Sequence, residues 1–310
     1  MKKNSILVLM STYNGERYIK DQLKSIIEQK TDFNIDILIR DDGSKDGTVQ
    51  IIENIQKEYV YTNIRLQTGE NIGCNASFFE LIKSSDEYEY YAISDQDDIW
   101  LPDKIDRAIN EISIFSSDQP ILYGTTSYIV NKDLIIKGIT QKKRQEISFF
   151  NTIIQNIIPG HNQVFNNALM KLLRNEVDSS RIYVYDAWIT NVACIFGKII
   201  FSNEAQTLYR QHDNNELGVG IHKFGWIKER LTRIKKGDNK KYAVQMKYFF
   251  EKYYDRLSKE ERCELSNFFS TKKNIFLRIK YISSTKLYRQ KKIETLLFKL
   301  LYIANGYITE

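Results

Sequence analysis

Two acidic clusters stand out where apolar runs give way to polar turns. Asp41-Asp42-Gly43-Ser44 continues into Asp46-Gly47-Thr48, and Asp95-Gln96-Asp97-Asp98 packs three carboxylates into four residues. Like charges crowded in this way are unfavourable unless a cation neutralises them, and oxygen-only ligation suits Mg²⁺ or Mn²⁺. A solvated acidic turn has the same composition, so the setting matters. This cluster follows the apolar run YYAIS and is closed into a helix by Trp100-Leu101-Pro102. In the first cluster, Asp46 or Ser44 is suited to cap a helix, and Gly43 and Gly47 permit tight backbone geometry. Asp42 is the surplus carboxylate, able to accept from a base or sugar donor.

Three further stretches carry reactive residue types. Tyr185-Asp186-Ala187-Trp188 sets one carboxylate among bulky aromatics, where desolvation raises proton affinity toward that of a useful base; a helix N-cap at Asp186 is the competing role. Tyr209-Arg210-Gln211-His212-Asp213 offers one of only three histidines, in a polar loop where a lone imidazole is usually just solvated. Pro159-Gly160-His161-Asn162-Gln163 is a Gly-led turn whose amides could point at a ligand, although loops of this composition are frequent. P-loop, dinucleotide-fingerprint and GxSxG markers are all missing from the sequence.

The elements that must hold these residues follow from the periodicity. Strand-like runs at 5–10, 35–40, 63–67 and 88–94 alternate with helical segments beginning near Arg17, Asp46, Asn75 and Pro102. Strand and helix in alternation predict an α/β chain with a mostly parallel sheet covered on both faces, and such sheets bind ligands at the carboxyl ends of their strands. TYNGE, DDGSKDGT, ENIGCN and DQDD fall at those ends. A less regular middle follows, with ILYGTTSYIV strand-like, a basic stretch QKKRQE, the turn at Pro159-Gly160, and VFNNALMKLL read as helical. Acceptor-side structure is expected there. After about Gly218 the pattern becomes lysine-rich and helical. The division predicted is one domain over 1–218, in two halves (1–118 and 119–218), and a basic helical C-terminal region over 219–310.

Composition narrows the classes. With 42% hydrophobic and 13% aromatic residues the chain can bury a sizeable core, and disorder is excluded. Cys74, Cys194 and Cys263 are far apart and odd in number, which fits a reducing cytoplasm rather than a disulfide framework or zinc site. The apolar stretch at the N-terminus is too brief for a signal peptide, and no window reaches the roughly 18 apolar residues of a membrane span. The net charge of +6 hides an asymmetry: residues 223–310 hold 22 Lys/Arg against 9 Asp/Glu, a balance of +13, leaving 23 against 30, or −7, for the rest. An acidic half can host a divalent cation, whereas a basic tail suggests an anionic surface. Nucleic acid is disfavoured because no binding motif for it is present.

In their order along the chain, TYNGE, IRDDGSKDGT, ENIGCNASF, SDQDDIWLPDK, GHNQVFN, YDAW and YRQHDNN resemble family 2 glycosyltransferases, over residues 4–216. The SDQDDIW…PDK form is similar to the branch containing rhamnosyltransferases of bacterial surface-polysaccharide synthesis. The resemblance implies a GT-A fold, Rossmann-like, its sheet flanked by helices, in a catalytic domain over 1–218 whose nucleotide-sugar half is 1–118 and whose acceptor half is 119–218, with a basic helical C-terminal extension. It implies that Thr12, Tyr13, Glu16 and Asn71 hold the nucleotide, that Asp42 reaches the base, and that Asp95 meets the ribose and metal region. Asp97 is then the better metal ligand, with His212 approaching from the far side, and Asp186 the catalytic base. Asp98, Trp100, Gly160, His161, Asn162 and Trp188 are assigned to the acceptor or donor sugar. Two departures from the family pattern are Tyr185, where an acidic residue or histidine is usual, and Glu70, at a place often basic.

The activity this implies is a metal-dependent, inverting transfer of a sugar from a dTDP- or UDP-linked donor to a saccharide acceptor that is lipid-linked. Rhamnose from dTDP-rhamnose is the favoured donor, with UDP-glucose, UDP-galactose and UDP-N-acetylhexosamine as alternatives. An inert sugar-nucleotide-binding or scaffold protein would have lost the base or a metal ligand, whereas Asp97, Asp186 and His212 are all present. The enzyme is expected in the cytoplasm, peripheral on the inner face of the membrane. Its basic tail carries an apolar stripe at Ile293, Leu296, Leu297, Leu300, Leu301 and Ala304, which either contacts lipid, docks on the catalytic domain or pairs two subunits as a homo-oligomer.

Overall fold

A computed structural model describes residues 2–140, 142–175, 177–211, 237–271, 274–304 and 306–307. The first half alternates strand and helix as the periodicity requires: β1 (Lys2–Thr12), α1 (Ile19–Ile27), β2 (Asn34–Asp41), α2 (Thr48–Glu58), β3 (Ile64–Thr68), α3 (Cys74–Ser84), β4 (Tyr88–Ser94), a short β5 (Ile99–Trp100) and α4 (Lys104–Ser113). The second half is β6 (Ile121–Val130), β7 (Ile136–Ile139), α5 (Phe149–Thr152), a 3₁₀ turn (Gly160–Asn162), β8 (Val164–Asn166), α6 (Asn167–Leu173), α7 (Tyr185–Phe196) and β9 (Lys198–Arg210). Four helices complete the described chain: α8 (Asp238–Tyr253), α9 (Lys259–Ser270), α10 (Ile275–Ser284) and α11 (Lys292–Ile303). VFN at 164–166 is strand rather than the start of a helix, because it pairs with β4 and β6 before Asn166 caps α6 through its side chain.

The strands form one sheet in the order β3-β2-β1-β4-β8-β6-β9-β5, with β7 on β6. β3, β2, β1 and β4 are mutually parallel, as are β6 and β9, while β8 and β5 run antiparallel to their neighbours. Sequence alternation splits the core between the two faces. Ile6, Val8 and Met10 of β1 join Ile37 and Ile39 of β2 under α1, α2 and α4, while Leu7, Leu9 and Leu38 face the other way, onto α3, α6 and α7. Both faces are fully buried, which is why these strands read as continuous apolar runs. α4 shows the matching helical stripe, Ile105, Ala108, Ile109 and Ile112.

The C-terminal helices share an apolar cluster with one face of the sheet. Trp188 of α7 stacks on Tyr248 at 5.2 Å and packs edge-on against Phe249, both from α8. Met246, Phe249, Leu265, Phe268 and Phe298 belong to the same apolar cluster as Leu7, Tyr91 and Trp188. Among the described residues, no helix is long and apolar enough to cross a membrane.

Candidate active site

With β1 between β2 and β4, the loops at the carboxyl ends of these three strands meet at one edge of the sheet. The loop after β1 is zipped to the loop after β2. Thr12 Oγ1 donates to Asp41 Oδ1 at 3.0 Å, Asn14 N to Ser44 Oγ at 2.9 Å, Gly15 N to Thr48 Oγ1 at 2.8 Å, and Gly47 N to Glu16 Oε2 at 2.7 Å. Gln96, which the motif pattern does not single out, closes the other side: its amide oxygen accepts from Tyr13 N at 2.9 Å and its Nε2 donates to Tyr13 O at 3.0 Å. Thr12 is buried, while the Tyr13 ring is 46% exposed at the mouth.

Asp42 secures the third loop. Its carboxylate accepts from Ile72 N at 2.9 Å and Gly73 N at 2.8 Å, and it pairs with the buried Arg40 guanidinium. Arg40 also reaches the Glu70 carbonyl at 3.1 Å, so the segment around the exposed Asn71 is held from beneath. Gly43 and Gly73, at φ +81 and +85, occupy the left-handed region that this arrangement of turns demands.

The acidic turn after β4 gathers a compact donor set. Asp95, Asp98 and His161 offer one ligand atom each, all within 4.8 Å of one another. His161 Nδ1 lies 3.4 Å from Asp95 Oδ2 and 3.7 Å from Asp98 Oδ2. Asp98 is fully buried; its Oδ1 accepts from Arg210 N at 3.1 Å, whereas its Oδ2 accepts no hydrogen bond, so a cation between these donors would satisfy it. Burial lifts the Asp98 carboxyl far above the usual carboxylate range. Burial also works against the His161 imidazolium, but the Asp98 and Asp95 carboxylates outweigh it and raise the ring's proton affinity. Two carboxylates and an imidazole fit Mn²⁺, and less well the harder Mg²⁺.

A buried chain of hydrogen bonds aims His161. Lys104 Nζ donates to the His161 carbonyl at 2.5 Å and to Thr207 Oγ1 at 2.9 Å. Thr207 donates to Asn162 Oδ1 at 3.0 Å, Asn162 Nδ2 donates to Ser127 Oγ at 2.7 Å, and Ser127 Oγ lies 3.1 Å from His161 Nε2. Nδ1 is thereby left facing the two carboxylates. Burial lowers Lys104 to about 7.

One residue earlier, Gly160 N donates to Asp186 Oδ2 at 2.8 Å, and Asn156 Nδ2 adds a second bond of 2.8 Å. Asp186 lies in the first turn of α7, where Val184 is the N-cap, so capping is not its role. Burial pushes its carboxyl up to about 6, against the pull of the Asn156, Gly160 and Ala187 donors, and the Asp95 charge adds to the rise. Two residues fix the start of α7. Asn75 accepts from Tyr185 N at 2.8 Å and donates to Tyr183 O at 2.6 Å, and Gln245 of α8 accepts from Tyr183 N and Val184 N at 3.0 and 2.9 Å.

The convergent set differs from the expected pair of Asp97 and His212. Asp97 shares the turn but is not among the three converging donors, and His212 lies outside the described residues. Trp100 and Trp188, expected at the sugar, are core residues at 2% and 1% exposure. Trp100 lies beneath the Lys104 ammonium, 4.2 Å from Nζ to the ring, and Trp188 joins α7 to α8. Burial on both faces of a ring leaves no surface for a ligand. Arg210 clamps the acidic turn instead, donating from Nε to Asp97 O at 3.0 Å.

A family model described as glycosyl transferase family 2 matches residues 7–180, more than half of the chain. The chain belongs to glycosyltransferase family 2. The dTDP-rhamnosyl transferase RfbG of Shigella flexneri is 32% identical to this glycosyltransferase over 250 residues, which cover 73% of this chain and 83% of RfbG. An uncharacterized glycosyltransferase of Rickettsia typhi is 25% identical over 275 residues, 81% of this chain and 83% of its own. Among solved structures, S. aureus TarS 1-349 in complex with UDP-GlcNAc is similar with a TM-score of 0.57 at 17% identity, over 97% of this chain and 89% of that one. The mannosyltransferase PcManGT of Pyrobaculum calidifontis, in complex with GDP-Man and Mn²⁺, gives a TM-score of 0.52 at 13% identity, over 97% and 85%. At such identities these likenesses speak for the fold, and the glycosyltransferase has the GT-A fold.

Proposed function

We propose that this glycosyltransferase moves rhamnose from dTDP-rhamnose to a hydroxyl of a lipid-linked saccharide in bacterial surface-polysaccharide synthesis, with inversion at the anomeric carbon. The observation that carries the reaction is the junction at residues 160 and 161. Gly160 holds the buried Asp186 carboxyl while the adjacent His161 faces Asp95 and Asp98. A base and an anion-neutralising centre are thus fixed by neighbouring residues of one turn. The donor reading rests on the likeness to a dTDP-rhamnosyl transferase. UDP-glucose, UDP-galactose and UDP-N-acetylhexosamine are the alternatives, the last favoured by TarS, whose structure holds UDP-GlcNAc.

Thr12, Tyr13, Glu16, Asp42 and Asn71 line the loops that would receive the nucleotide, with Asp95 at the ribose. Asp186, with proton affinity near 6, is largely ionised at neutral pH yet basic enough to take the proton of an acceptor hydroxyl. The freed oxygen bonds to the anomeric carbon from the face opposite the diphosphate. The bond from that carbon to the diphosphate oxygen breaks with its electron pair, so one displacement inverts the centre and no covalent enzyme intermediate forms. Asp95, Asp98 and His161 are the residues that would hold the metal, with His212 as a further ligand. A divalent ion held by these residues would neutralise charge building on the leaving diphosphate. Gly160, His161 and Asn162 form the turn between base and metal site, where the acceptor and donor sugar would meet. The reaction takes place in the cytoplasm, at the inner face of the membrane.

The test is incubation of the full chain with dTDP-rhamnose and with each UDP sugar, with Mn²⁺ or Mg²⁺, following release of the nucleoside diphosphate. Release from dTDP-rhamnose exceeding that from every UDP sugar is expected. A preference for a UDP sugar would overturn the donor assignment, and no release from any donor would overturn the reaction itself.

A further inference from the structure

The last two helices turn apolar side chains away from the protein. In α11, Phe298 and Tyr302 face the core at 0% and 2% exposure, and Tyr302 packs on Tyr281 of α10 at 5.2 Å. The opposite side of the same helix carries Ile293, Leu296 and Leu300 at 53%, 51% and 55% exposure, spaced i, i+3 and i+7. A surface helix ordinarily shows polar residues there. These three side chains are therefore not what docks α11 on the rest of the protein; Phe298 and Tyr302 do that, with Leu301 packed against the same cluster. α10 adds Ile275, Phe276, Leu277 and Ile279, all exposed and Phe276 most of all at 78%.

Charge decides what this face fits. Residues 274–304 contain seven Lys/Arg and one acid, Glu294. That acid is occupied by Arg289 at 3.2 Å and Lys291 at 3.3 Å. On the α11 wheel, Lys292 and Lys299 line one edge of the exposed stripe, and Lys280 is exposed among the apolar residues of α10. A second copy of the same face would bring positive charge against positive charge. An anionic lipid surface supplies hydrocarbon for the stripe and phosphate for the lysines.

We propose that α10 and α11 form a docking face for an anionic membrane surface, which holds the enzyme beside a lipid-linked acceptor. The purpose rests on the function proposed above, but binding to lipid is measured without any sugar, so either can fail alone. The full chain is mixed with vesicles of phosphatidylcholine alone, or of phosphatidylcholine with phosphatidylglycerol, at low and high salt, and sedimented. The wild type is expected to sediment with the anionic vesicles at low salt and to be released by high salt. Lys292→Gln with Lys299→Gln should weaken binding at least about tenfold, at roughly fivefold per lysine. Ile293→Ser with Leu296→Ser and Leu300→Ser should weaken it by about tenfold or more, with an unchanged melting curve. Wild-type protein left in the supernatant with anionic vesicles overturns the proposal. Equal binding by all three proteins overturns it as well. So does a dimer, seen by light scattering, that the triple substitution dissociates while no form binds vesicles.

Discussion

The main-chain N–H of Gly160 donates to Oδ2 of Asp186 at 2.8 Å, and a Cβ at Gly160 would overlap the hydroxyl of Tyr185, the residue just before Asp186. The turn at Gly160 and the start of α7 are therefore fitted to each other with no space to spare. Gly160→Ala should displace one or the other. We expect at least a tenfold loss of kcat and a destabilisation of about 1–3 kcal/mol, typical of overpacking, read from turnover and urea unfolding. Wild-type turnover in this variant would mean that the contact has no part in the reaction.

Asp186→Asn should leave donor affinity nearly intact and lower kcat by about 10²–10⁴-fold, the range for losing a general base. The sign of the pH dependence follows from the raised affinity near 6. The base works ionised, so kcat/KM should be flat above pH about 6 and fall about tenfold per unit below it. Asp186→Asn should lack this acid limb, which a pH–rate profile of both proteins would reveal.

The parallel half of the sheet and the gathering of its loops were legible in the sequence because both faces are buried, so β1, β2 and β4 read as unbroken apolar runs. The burial of Asp186, and the raised proton affinity that goes with it, were legible from its aromatic neighbours. The partners of these residues were not. Lys104, Thr207, Asn162 and Ser127 form one hydrogen-bonded chain, yet Lys104 and Thr207 lie 103 positions apart, and no local pattern connects them. Gln96 was hidden inside an acidic motif whose charges drew attention from it. Trp100 and Trp188 were given to the sugar by the resemblance alone, and their burial rests on tertiary packing that a sequence does not display.

α7 depends on residues far from it in sequence. Gln245 of α8 accepts from Tyr183 N and Val184 N, and it is 1% exposed, so Gln245→Leu would strand two main-chain donors. The cost should be about 1–3 kcal/mol of stability. A fall in kcat with unchanged nucleotide affinity would accompany it, since the nucleotide loops lie elsewhere. Calorimetry with UDP and dTDP beside turnover measurements separates the two effects.

Metal binding can be read directly by Mn²⁺ titration in the presence of UDP or dTDP. Asp98→Asn and His161→Gln should each weaken it at least about tenfold, because each removes a donor from a set of three. Asp97→Asn should change it by no more than about threefold, as expected for a carboxylate nearby but outside the set. The reverse order would move the ion to Asp97, as the family resemblance implies.

The central claim is that Asp186 takes the acceptor proton in an inverting sugar transfer. The most direct measurement is the anomeric configuration of the product, by NMR, from the nucleotide sugar that the wild type turns over fastest, with Asp186→Asn run beside it. We predict a product inverted relative to the donor, formed about 10²–10⁴-fold more slowly by Asp186→Asn. A retained configuration, or equal rates from the two proteins, would contradict the account.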